Sequence, residues 1–312
     1  MTDGIKLSED ELAFLRFTCG LYFLPESPLW FVESEKREPK SFGQTHDGLV
    51  RKGLVDAETW RGKEEALTPV QVVAECDGRV LWQRYQTGAK ATRDFYVAMG
   101  QLVEFGRDPH GFAFGHVRRE QDLVDELVGH FKASPPGGEV VDIIMTPGEY
   151  LVFAVFARDV REAKDVADHM TVEEVLACFE GEAPAPHVPR DSDFEKHTKV
   201  LSSRGLLSQD ASGNFALAQN LHAFARGLSS ETYDALTRYD FIDDEWLIRE
   251  ATVYPSAHSV YLLSSLADGS VSIRELDTDQ LFEVIAQAVA TLPDVSDNPN
   301  QVRSARDFFL RA

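Results

Sequence analysis

Two stretches of the chain repeat the same order of apolar and polar positions. Residues 49–55 and 201–207 both read as an apolar residue, two variable residues, a basic residue, a glycine and two apolar residues. In each case a helix-like run follows, and further along a strand-like run leads into an amphipathic helix. A divergent repeat that occurs twice at long spacing predicts two similar halves rather than a solenoid of many short units.

Local signals mark the helices at the two ends of this repeated order. Ser8 and Glu11 form a capping box, with Leu7 and Leu12 placed as its hydrophobic staple. Asp277 begins a similar pattern, and the helix behind it places apolar residues on one face at helical spacing. This second helix is therefore predicted to be a main core element.

Strands are predicted where β-branched and aromatic residues run between turn signals. The runs lie at residues 80–85, 94–105, 111–117, 246–254, 259–266 and 270–276, with a further hairpin at 140–157 around Pro147 and Gly148. Helices are predicted at residues 46–55, 69–76, 193–207, 216–227 and 229–239.

These elements predict an α+β protein with two pseudo-symmetric halves. Each half is a helical, winged-helix-like module followed by an antiparallel sheet and a packing helix. The proline-rich stretch 181–192 is the best linker, because it is stiff and poor in apolar bulk. We therefore expect a first half at residues 1–180, with the N-terminal helix and the extra hairpin, and a second half at residues 193–312, with a C-terminal helix.

The charge of the chain narrows the classes of partner. The chain contains 52 acidic residues against 31 lysines and arginines, so its formal net charge is −21 over 312 residues. Such a surface repels phosphate backbones, which argues against nucleic-acid binding, and it keeps a protein soluble. Three scattered cysteines are typical of a reducing compartment. Without a long apolar run or a signal-peptide pattern, we expect a cytoplasmic protein that does not enter a membrane.

Motifs that carry chemistry are scarce. The glycine motifs of nucleotide-binding proteins, the zinc-protease motif and the nucleophile elbow of hydrolases are all missing. Asp108, His110 and His116 surround one tight turn and are the first candidates for a metal or catalytic site. A fourth ligand is missing nearby. We therefore expect no metal, no cofactor and no catalytic residue, that is, a protein that is not an enzyme.

One stretch of the second half combines aromatic and acidic residues. Phe241, Ile242 and Trp246 would form an apolar centre, and Asp243 and Asp244 an acidic rim. This order is typical of a protein-binding patch. The same aromatic residues would also suit a buried core whose neighbouring acids face water.

The segment 87–93 is basic in an otherwise acidic protein. It carries Lys90 and Arg93 between two strand-like runs. An exposed hairpin tip explains these residues without any function, whereas a tip that extends beyond the sheet would contact a partner. We include both side chains among the predicted partner-binding residues.

Several of these segments together resemble a known family. An opening capped helix leads into a helical module with a Gly-Leu pair, then into the strand-like runs 93–100 and 111–117 and the helix 121–128. This layout resembles the EspG family, the cytosolic chaperones of type VII (ESX) secretion. The resemblance is strongest over residues 45–136 and weaker over 258–292.

The resemblance implies two pseudo-symmetric α/β halves that bind one end of a secreted PE–PPE heterodimer and keep it soluble. The helical module at 193–227 and the predicted hairpin at 139–157 depart from the family's layout, and no binding residue transfers position by position. We expect a cytosolic, non-enzymatic chaperone or adaptor for an apolar helical partner. Two alternatives stay open: an immunity or adaptor protein that neutralises a basic partner, and an enzyme with a diffuse Asp/His site.

Overall fold

A computed structural model of the chain describes most of its length. It covers residues 4–36, 38–86, 89–108, 111–131, 141–162, 191–229, 232–242, 245–255, 259–266 and 268–290. The predicted linker at 181–192 lies almost wholly outside these residues, and so does the predicted C-terminal helix beyond residue 290.

Strands supply the centre of the molecule. In chain order they are β1 (Ile5–Leu7), β2 (Gly78–Gln86), β3 (Ala89–Ala98), β4 (Gln101–Asp108), β5 (Gly111–Phe114), β6 (Arg118–Arg119), β7 (Asp142–Met145), β8 (Leu207–Gln209), β9 (Phe215–Leu217), β10 (Tyr233–Ile242), β11 (Glu245–Pro255), β12 (Val260–Ser265) and β13 (Val271–Leu276). One antiparallel sheet takes the order β1-β5-β4-β3-β2-β10-β11-β12-β13-β7, with β6 paired to β4. Strands β8 and β9 form a separate hairpin.

Helices pack on both sides of this sheet. They are α1 (Glu9–Cys19), α2 (Trp30–Ser34), α3 (Phe42–Arg51), α4 (Glu64–Ala74), α5 (Glu120–Phe131), α6 (Pro147–Glu162), α7 (Asp191–Ser203), α8 (His222–Ser229) and α9 (Thr278–Val289), and a 3-10 turn, Gln219–Leu221, precedes α8. Helices α5 and α9 cover the middle of one side. On the opposite side α1–α4 cover one end and α6–α8 the other. The predicted α+β class is confirmed.

The order of elements repeats, and the two copies meet at the middle of the sheet. The first copy runs β1, α1, α3, α4, then β2 to β5 and α5; the second runs β7, α6, α7, α8, then β10 to β13 and α9. Matching strands occupy mirrored places on either side of the β2–β10 pair. Because these inner strands pair directly, both halves share one sheet.

The repeated glycines end matching helices. Gly53 has φ 74° and Gly205 has φ 73°, so both adopt the left-handed conformation that glycine tolerates best. The next residue, Leu54 or Leu206, donates its backbone N–H to the carbonyl of Leu49 or Leu201 at 3.0 and 2.9 Å. These are Schellman-type helix ends, and they place the two glycines in equivalent contexts.

The basic residue before each glycine forms a clamp with the outermost strand of its half. Lys52 Nζ donates to the carbonyl of Lys6 in β1 at 2.7 Å and to Glu11 Oε1 at 2.6 Å. Glu11 is in turn the acidic member of the capping box that begins α1. The clamp thus joins an edge strand, the helix after it and the glycine turn.

The second half contains the same clamp. Arg204 donates to the carbonyl of Ile144 in β7 at 2.7 Å and to Glu149 Oε2 at 3.2 Å. Glu149 and Thr146 form a capping box at the start of α6, with reciprocal bonds of 3.0 and 3.3 Å. The repeated basic-glycine pattern therefore has a structural cause that the sequence did not reveal.

Polar residues are buried where the two halves join. Asp234 of β10 is fully buried, and its Oδ1 accepts hydrogen bonds from Trp82 Nε1 at 2.6 Å and Arg84 Nε at 3.3 Å. His130 of α5 lies 3.7 Å from its other oxygen. Arg238, 1% exposed, bonds to Asp240, Glu120 and the last carbonyl of α9. Partners in place compensate for most of this buried charge, whereas Asp234 Oδ2 is buried without a hydrogen bond.

Several predicted elements differ in the structure. The predicted hairpin at 140–157 is strand β7 followed by helix α6, and the predicted helix at 229–239 is mostly strand β10. The single run at 94–105 turns at Met99 and Gly100, both of positive φ, and divides between β3 and β4. In α6 apolar residues face the core at helical spacing, whereas the proline and glycine at its start had indicated a turn.

The packing also moves the boundary between the halves. Strand β7 pairs with β13, and α6 packs with α7 and α8 in the core of the second half. Residues 141–162 therefore belong by packing to the second half, although we had placed them in the first half, 1–180. The shared sheet makes the halves parts of one body.

The clamp predicts an asymmetric response to two neighbouring substitutions. Lys52→Met should lower the free energy of unfolding by about 1–3 kcal/mol, because Glu11 is then left largely buried without its cation. Arg51→Met, at the adjacent exposed position, should change it by less than about 0.5 kcal/mol. Urea unfolding of the two variants measures both values; equal effects would contradict the clamp.

The buried joint predicts a pH dependence. Burial by itself would raise the pKa of Asp234, but His130, Trp82 and Arg84 together outweigh it and hold that pKa below its usual value. Asp234 therefore stabilises the fold above the unfolded-state pKa of about 3.9, and this contribution is lost as the pH falls through the folded pKa. Asp234→Asn should destabilise most at pH 7 and progressively less in acid. Exposed Asp47→Asn is the control, and pH-dependent urea unfolding is the measurement.

Candidate partner-binding face

Residue alternation separates a covered side of the central strands from an open side. Along β10, Asp234, Leu236, Arg238 and Asp240 are buried against the α5 and α9 side. The intervening residues point to the opposite side of the sheet, because successive strand side chains alternate. Most of them are only half-buried: Tyr233, Ala235, Tyr239 and Phe241. The middle of the sheet therefore presents one packed side and one accessible side.

We call the accessible side the aromatic face, after the rings that line it. Its members on β2, β10 and β11 are Tyr85, Tyr233, Tyr239, Phe241, Trp246 and Tyr254. Tyr85 and Tyr233 stack across the two halves at 4.3 Å between centroids, and Phe241 lies 5.1 Å from Trp246. Trp246 is 47% exposed. A continuous run of half-buried rings that includes one exposed tryptophan is typical of an interaction surface.

Two basic side chains lie among these rings. The Arg79 guanidinium is 5.6 Å from the Tyr96 ring centre and 5.7 Å from that of Tyr239, and it pairs bidentately with Asp94 at 2.7 Å. Lys90 Nζ lies 5.1 Å above the Tyr85 ring. These cation–π contacts hold the rings in place.

A cavity of about 360 Å³ adjoins Trp246 at one end of the face. Its walls come from the face, through Tyr239 and Ile248, and from the loop after α1, through Glu26 and Pro28. The aromatic face therefore offers a recess beside its most exposed ring, and a side chain of a partner would fit there.

Two phenol groups on this side of the sheet, those of Tyr254 and Tyr96, remain uncharged at neutral pH. Burial, followed by the neighbouring phenols Tyr150 and Tyr233, raises the pKa of Tyr254 to about 12. Burial also raises the pKa of Tyr96, with Asp94 beside it as the next cause. These groups therefore act as neutral hydrogen-bonding partners and apolar surface rather than as acid–base groups.

The structure separates the predicted binding residues. Phe241, Trp246 and Lys90 lie on the aromatic face, whereas Ile242 has the opposite strand parity and is half-buried. Asp243 and Asp244 lie outside the described residues. Arg93 lies on the covered side, where it pairs with Glu104 at 2.8 Å and with Glu126 of α5. The two basic residues predicted together thus point to opposite sides of the sheet.

Sequence analysis missed most of the remaining face. Tyr233 and Tyr239 fell in a predicted helix, although they alternate with the positions now seen to be buried. Charged residues at those buried positions hid the two-residue period, because Asp234 and Arg238 are buried only with partners from α5, α9 and β2. The usable signal for a strand was the spacing of Tyr233, Tyr239 and Phe241, which are separated by even numbers of residues and therefore lie on one side of a strand.

Of the candidate metal residues, Asp108 and His116 lie in the described part of the chain. Asp108 ends β4 and His116 is exposed beyond β5, while His110 lies outside the described residues. Among described residues no group of three histidine, cysteine, aspartate or glutamate side chains could hold a metal ion. None of the described helices is long and apolar enough to cross a membrane.

Comparison with solved structures gives a fold-level match. The chain is similar to the structure of the Mycobacterium tuberculosis type VII secretion system chaperone EspG5 in complex with the PE25–PPE41 dimer, with a TM-score of 0.50 and 10% sequence identity. The match covers 93% of this chain and 96% of the other. No family model and no curated protein matches. The likeness therefore concerns the fold.

The separation of Lys90 and Arg93 predicts different effects of the same substitution. Arg93→Met should lower the free energy of unfolding by about 1–2 kcal/mol, because Glu104 and Glu126 both lose their cation in partly buried surroundings. Lys90→Met should change it by less than about 0.5 kcal/mol, since Lys90 is exposed. Thermal and urea unfolding measure both; a larger effect at Lys90 would contradict the assignment of sides.

Proposed function

We propose that this chain is a cytosolic, non-enzymatic chaperone or adaptor whose aromatic face binds an apolar helical protein and keeps it soluble. The observation that carries the proposal is the aromatic face itself, whose rings are partly accessible, and in Trp246 exposed, on the middle strands of the sheet between the two helical modules. A PE–PPE-like heterodimer is the partner class that we propose.

The shape of this surface suits the tip of a helical partner. The modules α1–α4 and α6–α8 stand at both ends of the same side, so the aromatic face lies between two walls. Aromatic residues dominate the binding energy of many interfaces because they bury a large rigid area with little loss of side-chain entropy. Trp246 beside its cavity is the residue that we expect to contribute most.

Similarity of fold supports the same class of function. The EspG5 structure to which this chain is similar is that of a chaperone bound to a PE–PPE dimer, and the match extends over nearly the whole of both chains. The proposal combines this likeness with an accessible apolar surface in this chain. Among the described residues no group of three metal-ligating side chains supports a metal-dependent form of the enzyme alternative.

A binding experiment tests the proposal. A purified PE–PPE heterodimer should co-elute with the chain in size-exclusion chromatography, and titration calorimetry should give its affinity. Trp246→Ala should weaken that affinity about 30-fold or more, corresponding to about 2 kcal/mol for an interface hot spot. Its melting temperature should change little, because nearly half of the ring is already exposed.

A matched aromatic residue on the other side of the sheet supplies the control. Phe282 of α9 is 39% exposed, so Phe282→Ala removes a similar area from a surface that the proposal leaves free. Its affinity should equal that of the unmodified chain. If Phe282→Ala weakened binding as much as Trp246→Ala, or if neither had an effect, the aromatic face would not be the binding surface.

A further inference from the structure

A second group of exposed rings lies on the first helical module. Phe17 of α1 is 54% exposed, Phe42 of α3 is 37% exposed and Trp60, in the loop before α4, is 39% exposed. Phe17 and Phe42 meet edge to face at 5.6 Å, and buried Phe14 lies 6.1 Å from Phe42 and 5.9 Å from Trp60. We call Phe17, Phe42 and Trp60 the module patch. None of its residues belongs to the aromatic face.

The backbone holds Trp60 in an unfavourable conformation. Its φ is 62°, in the left-handed region that side chains other than glycine rarely adopt. Asp56 builds the loop: its Oδ1 accepts from the backbone N–H groups of Glu58 and Thr59, and its carbonyl accepts from Trp60 N at 3.1 Å. The indole stacks on His46 at 4.2 Å. A strained residue with an exposed ring is a reason to look for a use of that ring.

The second half provides an internal comparison in a corresponding loop that is one residue shorter, since Asp210 pairs with Asn214 where Asp56 pairs with Arg61. There Asp210 organises the turn, and the residue with positive φ that donates to its carbonyl is Gly213, with φ 90°. Glycine carries no strain at this φ, so the loop closes without an aromatic residue. The fold itself therefore does not require a tryptophan at the position of Trp60.

The counterparts of the other two rings are buried. Counting from the repeated capping-box glutamates, Phe17 corresponds to Val155, which is 6% exposed; counting from the repeated glycines, Phe42 corresponds to Phe194, which is 1% exposed. In the second half these positions belong to a closed core. The first half thus leaves open a surface whose counterpart in the second half is covered.

Charge identifies the kind of group that would cover the module patch. Elsewhere the chain's own arginines and lysines lie over its rings, as at Tyr85, Tyr96 and Phe112. Among the described residues none lies over a ring of the module patch. Asp47, with a side chain 71% exposed, lies 3.6 Å from His46, the ring on which Trp60 stacks. Aromatic rings without a cation of the same chain, next to an acidic side chain, favour binding of a lysine or arginine from a partner.

We propose that the module patch is a second protein-binding surface, distinct from the aromatic face, that binds a basic amphipathic segment of a partner. Apolar side chains of that segment meet Phe17 and Phe42, and a lysine or arginine covers Trp60 beside Asp47. The net charge of −21 draws such a segment towards the chain over longer distances.

The test uses two synthetic 18-residue amphipathic helical peptides, one with leucine and lysine and the other with leucine and glutamate, and the 15N-labelled full chain. The chain has four tryptophans, so their indole N–H signals form a small set that Trp60→Phe assigns. The leucine–lysine peptide should shift the Trp60 signal. Trp60→Ala should weaken the binding of this peptide about tenfold. Asp47→Lys, made separately, should also weaken it, and the loss of affinity should be larger at low salt than at high salt.

The controls keep this proposal separate from the proposed function. Trp246→Ala should leave the binding of the leucine–lysine peptide unchanged, and Trp60→Ala should leave the binding of the PE–PPE heterodimer unchanged. Trp60→Gly should melt above Trp60→Ala, which would show that the fold prefers glycine there. The proposal would be overturned if both peptides bound equally well, or if the Trp246 signal shifted and the Trp60 signal did not. It would also be overturned if the Trp60 signal shifted only with the concentration of the protein itself, which would indicate contact between copies of the chain.

Discussion

The pairing of β2 with β10 is the contact on which the rest of the structure depends. It turns two sheets, each with a bare inner edge, into one sheet, and it sets which residues face α5 and α9. Asp234 and Arg238 are buried only because residues of the other half, Trp82, Arg84 and Glu120, supply their hydrogen bonds. Neither half could keep these charges out of water alone, so the joint makes the halves mutually dependent.

The outer edges of the same sheet are short strands that side chains of the helical modules cover in part. The strands β1 and β7 are very short, and a backbone carbonyl of each accepts from the cation that precedes a repeated glycine, Lys52 or Arg204. A long unpaired edge would invite pairing with another chain. The clamp limits this at both ends, and it ties the helical module to the edge strand. The middle of the sheet is thereby left as the accessible part of that side.

The repeat, the fold class and two rings of the aromatic face are predictable from the sequence, because glycine turns, capping boxes and apolar periods are local signals. Strand β10 is not, because buried Asp234, Arg238 and Asp240 look like solvent-facing residues until their partners are known. Helix α6 resembles a hairpin in the sequence, because Pro147 and Gly148 are equally suitable for a turn and for the first turn of a helix. Both failures concern residues whose state is decided by contacts distant in sequence.

Divergence between the halves carries the functional information that the repeat alone lacks. Where both halves keep a feature, as with the clamps and Schellman turns, the feature serves the fold. Where the halves differ, the fold tolerates either residue, so a requirement other than folding accounts for the difference. Trp60 lies where the other half has Gly213, and the Phe42 side chain is exposed whereas that of Phe194 is buried. Exposed rings favour association with other apolar surfaces, and a net charge of −21 opposes contact between copies of the same chain. Both properties together favour association with a partner surface that is apolar and less acidic than the chain itself.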